Sequence, residues 1–498
     1  MWGIRLYFGL IFGVFGTLAL LGCGGGGGES STTTTIQGSV PGTDFVAVDN
    51  NTNLEVKRVT ATGTPKTFLM VVPTGMQYRF YVMENEGTGN SRVYPMFMGT
   101  SNVFELDNTA NGQIISLGLV NPDMSTGNAT PANTPPLMMG RGANPAVPSS
   151  LTGSAFSMDS VKGTTWNYNT MMTSGTVGWE RGTLSFNDNG VGRMTDIFRN
   201  GTSLPGRDHT YTMSLSGMLF NPDDTTFHGV VSKDISLIVA TFTDITGGCA
   251  MMIAQKRGGL YQAGGLDMNG SWRFQRLTAG SDNTTSGWAY GTMGISGSPV
   301  VSATILTMTK NAGVSEAETT FTISMDANGI MSKLGDSSFY GVMSMDKSMI
   351  VATDTNAGNH PEIWVMMRTT LNPRTIYSGT DMMGDWIMHS VSSGNSGSRD
   401  WTFGHSVVDA GANNTFSQMV GSAGEIKPTP TPMTMAMDSV NGVMTIPDMG
   451  MGGGTGGGMM GGGMTTATFH GIMNEAKNKM ISTYTDGGGG FPFSIQVK

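Results

Sequence analysis

The feature that most constrains this chain is a threefold internal repeat. Three segments open alike, as Lys162-Gly163-Thr164-Thr165-Trp166-Asn167-Tyr168, Asn269-Gly270-Ser271-Trp272-Arg273-Phe274 and Met383-Gly384-Asp385-Trp386-Ile387-Met388. Each continues into a second aromatic block starting at Trp179, Trp288 or Trp401, and closes on a third around Phe227, Phe339 or Phe469. The first tryptophans lie 106 and then 114 residues apart. Three blocks in fixed order across three copies identify one supersecondary unit used three times, over 151–257, 266–369 and 380–498.

Within a copy the apolar period is two. Trp272 and Phe274 fall on one strand face, as do Trp166 and Tyr168, and Trp386 and Met388. Each copy reads as about eight strands in roughly 100 residues, with no amphipathic run of helix length. The expected fold class is therefore all-β. Two architectures suit eight antiparallel strands: one small closed barrel per copy, or a single six-bladed propeller with two blades per copy. The propeller is suggested by Tyr290-Gly291-Thr292-Met293 echoing Tyr340-Gly341-Val342-Met343. The barrel is favoured by the loose connectors between copies, and because each copy ends at a cation: Lys256-Arg257, Arg368 and Lys498. This resembles the lipocalin-like pattern, in which a first-strand Trp packs beneath a last-strand Arg, and cation–ring attraction gives a physical reason for the pairing. The resemblance implies a barrel able to carry small apolar ligands, although bulky inward Trp, Phe and Met can fill so small an interior. Copy one departs from the pattern by an extra residue before its Trp, and copy three by ending in Lys.

Ahead of the repeats the chain changes character several times. Arg5 precedes the 16-residue apolar run Leu6–Leu21, which is short of the roughly 20 residues of a spanning helix and reads as a leader over 1–22. Its end, Leu20-Leu21-Gly22-Cys23, resembles the bacterial lipobox. That resemblance implies diacylglyceryl transfer to the Cys23 thiol, removal of the leader and N-acylation of the new terminus, hence a membrane partner through the lipid anchor, and Gly24 in place of Asp implies the outer membrane. Two or more acyl chains hold a soluble domain durably on a bilayer. Residues 23–35 form a Gly/Ser/Thr tether. Strand signals at roughly ten-residue spacing over 36–120 predict a small β-sandwich. The order IQGSV, FVAVDNNTN, FLMVVPTGMQYRFYV is similar to the carboxypeptidase-regulatory-like, transthyretin-like sandwich. Residues 121–150 carry six prolines and read as an extended linker.

Composition limits the chemistry. A formal charge of −9, with only 13% charged residues and no basic patch, argues against nucleic acid as a partner. Cys249 is the only cysteine besides Cys23, so neither a disulfide framework nor a cysteine-ligated cofactor is expected. The histidines (His209, His228, His360, His389, His405, His470) show no metal-motif spacing. His228 and His470 share a repeat position with Tyr340, which marks half-buried strand residues rather than ligands. No nucleophile elbow or P-loop is present. No catalytic residue, cofactor or metal is expected, and the chain is read as a non-enzyme. Methionine (42) outnumbers leucine (23), mostly in strand alternation, where it serves as core filler. The exception is the Met/Gly insertion 449–464 in copy three. Its Met449, Met451, Met459, Met460 and Met464 are candidate thioether ligands for Cu(I) or Ag(I), against a low-complexity loop as the plainer reading. The sequence thus points to a lipid-anchored envelope protein displaying repeated β modules for ligand binding or adhesion. Its expected partners are a polysaccharide, a small apolar ligand or another protein.

Overall fold

The computed structural model describes residues 33–498 apart from 43, 51–53, 85–91, 99–101, 108–109, 124–126, 136–137, 142–150, 152–155, 259–260, 263–264, 299, 312–319, 370–376, 410, 425, 428–432, 447–468 and 487–488. Cys23, the tether before residue 33 and the five methionines of the 449–464 insertion lie outside the described residues. Among the described residues no helix is long and apolar enough to cross a membrane.

The first unit is a pair of facing sheets. One has four strands in the order Asn128–Pro131, Ile114–Asp123, Thr33–Ser39, Thr67–Pro73, with Thr33–Ser39 parallel to Ile114–Asp123 and antiparallel to Thr67–Pro73. The other is built on the path Met138–Arg141, Asn102–Leu106, Tyr78–Glu84, Asp44–Asp49, Glu55–Thr60. Strand Thr67–Pro73 alternates strictly, sending Phe68, Met70 and Val72 inward. Asp44–Asp49 is buried at every residue, because its outer face is covered as well. There Val46, Val48, Tyr81, Met83 and Val93 pack with Leu151 and against Leu215.

The Pro-rich segment differs from its expected form. Strand Ile114–Asp123 runs past residue 121, and Asn128–Pro131 and Met138–Arg141 each add a strand to the sandwich. Pro131 is tolerated because it ends an edge strand, where the missing N–H leaves no central ladder broken.

The three copies are barrels, which rules out the propeller. The second is a closed barrel of eight strands from Gly270–Thr278 to Pro361–Thr369. The first and third are ten-stranded sheets in which the opening strand pairs with both the second and the last. Thr165–Met172 lies between Gly178–Phe186 and Cys249–Lys256, and Gly384–Ser393 between Trp401–Val408 and Phe491–Val497. Four-stranded blades would leave first and last strands apart, whereas here they close on each other. Each barrel has its own filled interior. That of the first includes Trp166, Tyr168, Phe186, Tyr211 and Phe227, that of the second Trp272, Phe274, Phe339 and Trp364, and that of the third Trp386, Met444 and Met480 with Phe469 against them.

The barrels are separate as sheets but not as cores. Strand Met349–Thr355 sends Ile350 and Ala352 into its own barrel, while Met349 and Val351 face outward into a second cluster. That cluster joins the outer walls of all three barrels, through Met251 and Ile253, Val351 and Val365, and Ile481 and Ile495, to the inner faces of the sandwich. Burial on both strand faces explains runs such as MIVAT and MMIA, which are continuously apolar rather than alternating.

Candidate functional site

The repeat residues sort into two roles. Trp166, Trp272 and Trp386 plug the barrels. Trp272 and Trp386 donate Nε1–H to the Met268 and Met382 carbonyls at 2.8 and 2.7 Å. Arg368 and Lys498 each lie over the ring at 4.7 Å, where attraction to the ring face is favourable. In the first barrel the extra residue before Trp166 shifts the cap, and Nε1–H donates to Thr164 Oγ1 at 2.8 Å. Phe227 and Phe339 fill their barrel interiors, and Phe469 packs against the third.

Trp179, Trp288 and Trp401 instead reach across to the next barrel. Trp179 Nε1–H donates to Thr355 Oγ1 at 2.8 Å, Trp288 to Thr485 Oγ1 at 2.8 Å, and Trp401 to Thr243 Oγ1 at 2.9 Å. First barrel bonds second, second bonds third, and third bonds first, so the head-to-tail interface closes after three steps. Three residues beyond each opening Trp, the same seam carries a polar side chain. Thr353 donates to Asn169 Oδ1 at 2.9 Å, Thr483 donates to Gln275 Oε1 at 2.7 Å, and Thr241 Oγ1 meets His389 Nδ1 at 3.3 Å. Rings complete it, with Arg181 over Tyr340 at 4.6 Å, Tyr290 stacked on His470 at 3.5 Å and His228 stacked on Phe403 at 5.0 Å.

His228 and His470 are partly buried strand residues, in keeping with their repeat position, and together with the fully buried His389 they stand in the seams between barrels. Burial pushes the imidazole of His389 down to about 3 and that of His470 to about 4, and lowers His228 too. The signal that could have located them is the shared offset from the repeat tryptophans, which needs the pairing of one copy with the next to be interpreted.

Because equivalent residues meet at every seam, the barrels stand side by side with the same end up. At that end, called here the mouth, each copy carries different chemistry. In the first barrel Glu180 is buried, accepts from Arg199 Nε at 2.9 Å and Tyr168 Oη at 3.1 Å, and pairs with Arg207. Arg199 also lies 3.7 Å from Asp244, whose Oδ1 accepts from the Thr246 and Gly248 backbone N–H at 2.9 and 2.8 Å. Asp244 Oδ2 and Arg207 Nε are buried without a hydrogen-bond partner. Both residues line a cavity of about 100 Å³ together with His209, Tyr211 and Phe227. Burial raises the Tyr168 and Tyr211 phenols and lowers the His209 imidazole. The cavity therefore has a charged wall whose two carboxylates are already paired with Arg199 and Arg207. It is too small for the ~300 Å³ or more of a usual organic-ligand pocket.

Residues equivalent to Glu180 are Ala289 and Thr402, so the second and third barrels lack this cluster. The second has instead the buried pair Arg276–Glu362 at 3.1 Å, with the guanidinium 4.7 Å from the Trp364 ring. In the third, the strands Val443–Thr445 and His470–Met473 pair with each other, and the Met/Gly insertion joins their mouth ends. The first two barrels have only the tight turns Asn221–Asp224 and Lys333–Asp336 at that position. Of the sequence-derived site residues only Phe227 reaches this cavity, and its charged residues went unnoticed because nothing in a single copy distinguishes them from surface ones. Among the described residues no group of three or more His, Cys, Asp or Glu side chains is placed to hold a metal ion.

No protein-family model matches the chain, and no curated protein matches it. Among solved structures it is similar to a protein of unknown function from the DUF3598 family of Nostoc punctiforme, at 14% identity over 42% of this chain and 97% of that one, with a TM-score of 0.19. It is also similar to transferrin binding protein B from serogroup B Neisseria meningitidis, at 10% identity over 67% of this chain and 76% of that one, with a TM-score of 0.18. A variant of transferrin binding protein B from Haemophilus parasuis Hp5 gives 8% identity over the same shares and a TM-score of 0.20. Scores of this size leave function to be read from the side chains described above.

Proposed function

We propose that this chain is a non-enzymatic, lipid-anchored protein of the outer envelope whose three-barrel head presents its mouth face to a ligand, a polysaccharide or a partner protein. The observation that carries the reading is where the copies agree and where they differ. They agree along the seams, at Trp179, Trp288 and Trp401 and their threonine partners. They differ at the mouths, with a charged cluster in one, a buried ion pair in the next and an insertion in the third. A rigid scaffold with variable loops at one end is how binding surfaces are generally built. Support for the anchor is the Leu20–Cys23 motif behind an apolar leader. The carrier alternative, with apolar ligands inside each barrel, is disfavoured by interiors filled with Trp, Phe and Met.

A panel of envelope polysaccharides and proteins, screened against the mature chain, tests the reading. Binding should be lost when mouth turns 222–223, 245–247 and 357–359 are replaced by Gly-Ser, and kept when the opposite turns 188–189, 327–328 and 440–441 are replaced. A ligand indifferent to the mouth substitutions, or chemically converted on binding, would refute it. Saturable displacement of a fluorescent fatty acid would restore the carrier reading.

A further inference from the structure

Among the described residues, the sandwich has one sheet face that nothing in the head covers. Its larger sheet packs toward the first barrel: the Val93 backbone N–H donates to the Leu215 carbonyl at 3.1 Å, and the Arg92 guanidinium reaches the carbonyls of Ser216 and Val231. The four-stranded sheet lies on the other side of the sandwich core, so its outer face looks away from the head. Four large apolar side chains stand on that face: Leu69 (61% exposed), Val71 (44%), Ile114 (67%) and Leu119 (52%). The register sets them in order. Val71, Thr35 and Ile114 lie in one row across the sheet, and Leu69, Gln37 and Ser116 in the next but one along the strands. Of the remaining outward residues of these strands, Thr33, Ser39, Thr67, Pro73 and Asn121 are uncharged, and the one charge is Asp123 at the far end of Ile114–Asp123, beside the edge strand Asn128–Pro131. A sheet face meant for water ordinarily carries Lys or Glu among its outward positions.

The same sheet holds the first described strand. Thr33 begins ten residues after Cys23, a reach of about 35 Å at most for extended chain. We propose that this outer face, with Leu69, Val71, Ile114 and Leu119, rests on the lipid surface to which Cys23 is attached, so that the sandwich is a foot and the mouths point outward. The inference depends on the anchored reading for its source of membrane, but on the sheet alone for its contact.

The test uses the acylated full-length mature protein in phosphatidylethanolamine–phosphatidylglycerol vesicles, with an environment-sensitive dye on Ser116→Cys or, as reference, on Ile245→Cys at a mouth turn. The native Cys249 thiol is buried and leaves the label specific. Expected is a blue-shifted emission at position 116, quenched by spin-labelled lipid. It should be abolished by Leu69→Ser with Ile114→Ser at unchanged melting temperature, and position 245 should read as water. Equal, water-like emission at both positions overturns the proposal. So does a concentration-dependent dimer in lipid-free buffer that the same serine pair dissolves, since a second copy would then cover the face. Failure of the anchored reading is seen separately, as a bare Cys23 by mass spectrometry of the native protein. The Cys23→Ser chain at high vesicle concentration then decides, a shift at position 116 supporting docking and its absence ending it.

Discussion

Trp288 shows how much of this fold is written in single side chains with two jobs. Its ring is buried in the shared cluster, stacks on Tyr290 at 5.7 Å, and its Nε1–H finds Thr485 in the next barrel. Trp288→Phe keeps most of the apolar area and loses the bond, so it should cost about 1 kcal/mol in urea denaturation. Trp288→Ala should cost about 3–5 kcal/mol. A loss as small for Ala as for Phe would show that the seam does not carry stability. The seam histidines add a pH dependence. An unfolded imidazole titrates near 6.5, whereas burial holds His389 near 3 and His470 near 4. Between those values the unfolded chain binds more protons than the folded one. Stability is therefore full above about pH 6.5 and falls as the pH drops toward 4. The groups nearest His389, namely His228 and Thr241, supply no counter-charge. His389→Gln should flatten that slope, and an unchanged slope in a pH series of urea melts would exclude His389 as its source.

At the scale of the strand, the glycine three residues after each seam tryptophan, at Gly182, Gly291 and Gly404, marks a bulge. The ladder between second and third strands shifts register between Arg181 and Thr183, between Thr292 and Met293, and between Phe403 and His405. Bulges bend a strand and let a small barrel close. A methyl group at Gly291 would run into the Thr307 carbonyl, and one at Gly182 would stand 2.8 Å from the Thr195 carbonyl. Gly291→Ala should therefore cost about 2–3 kcal/mol, more than an exposed strand Gly→Ala, and thermal melts of the two variants check it. The repeated glycine was visible in the aligned copies, but its reason was not, because a bulge is a relation between two strands and the third strands share no motif.

For the whole molecule, the closed ring of seams predicts cooperativity. Residues 264–372 contain a complete closed barrel, yet Leu277, Met349, Val351, Val365 and Met367 on its outer wall are buried only by neighbours. Released alone, that barrel exposes a contiguous apolar patch and should self-associate at micromolar concentration in sedimentation velocity. A well-behaved monomer would mean that the shared cluster is dispensable. In the intact protein the three barrels should melt in one transition by calorimetry, where independent modules would give several.

The repeat, the strand period and the paucity of helix signals were enough to establish an all-β chain built from one unit used three times, because alternation and self-similarity are local properties of a sequence. They were enough also for two of the plug tryptophans, Trp272 and Trp386, whose cation partners Arg368 and Lys498 end the same copies; the ring of Trp166 is capped differently, through Thr164. What only the tertiary structure decided is how the units meet. The seam matches residues of one copy with different residues of the next, the shared cluster hides behind strands apolar on both faces, and the Glu180 cluster gathers charges from strands 19 and 27 residues apart. Those relations depend on curvature and packing of closed sheets, and no periodicity along a single chain encodes which wall of a barrel will find a neighbour.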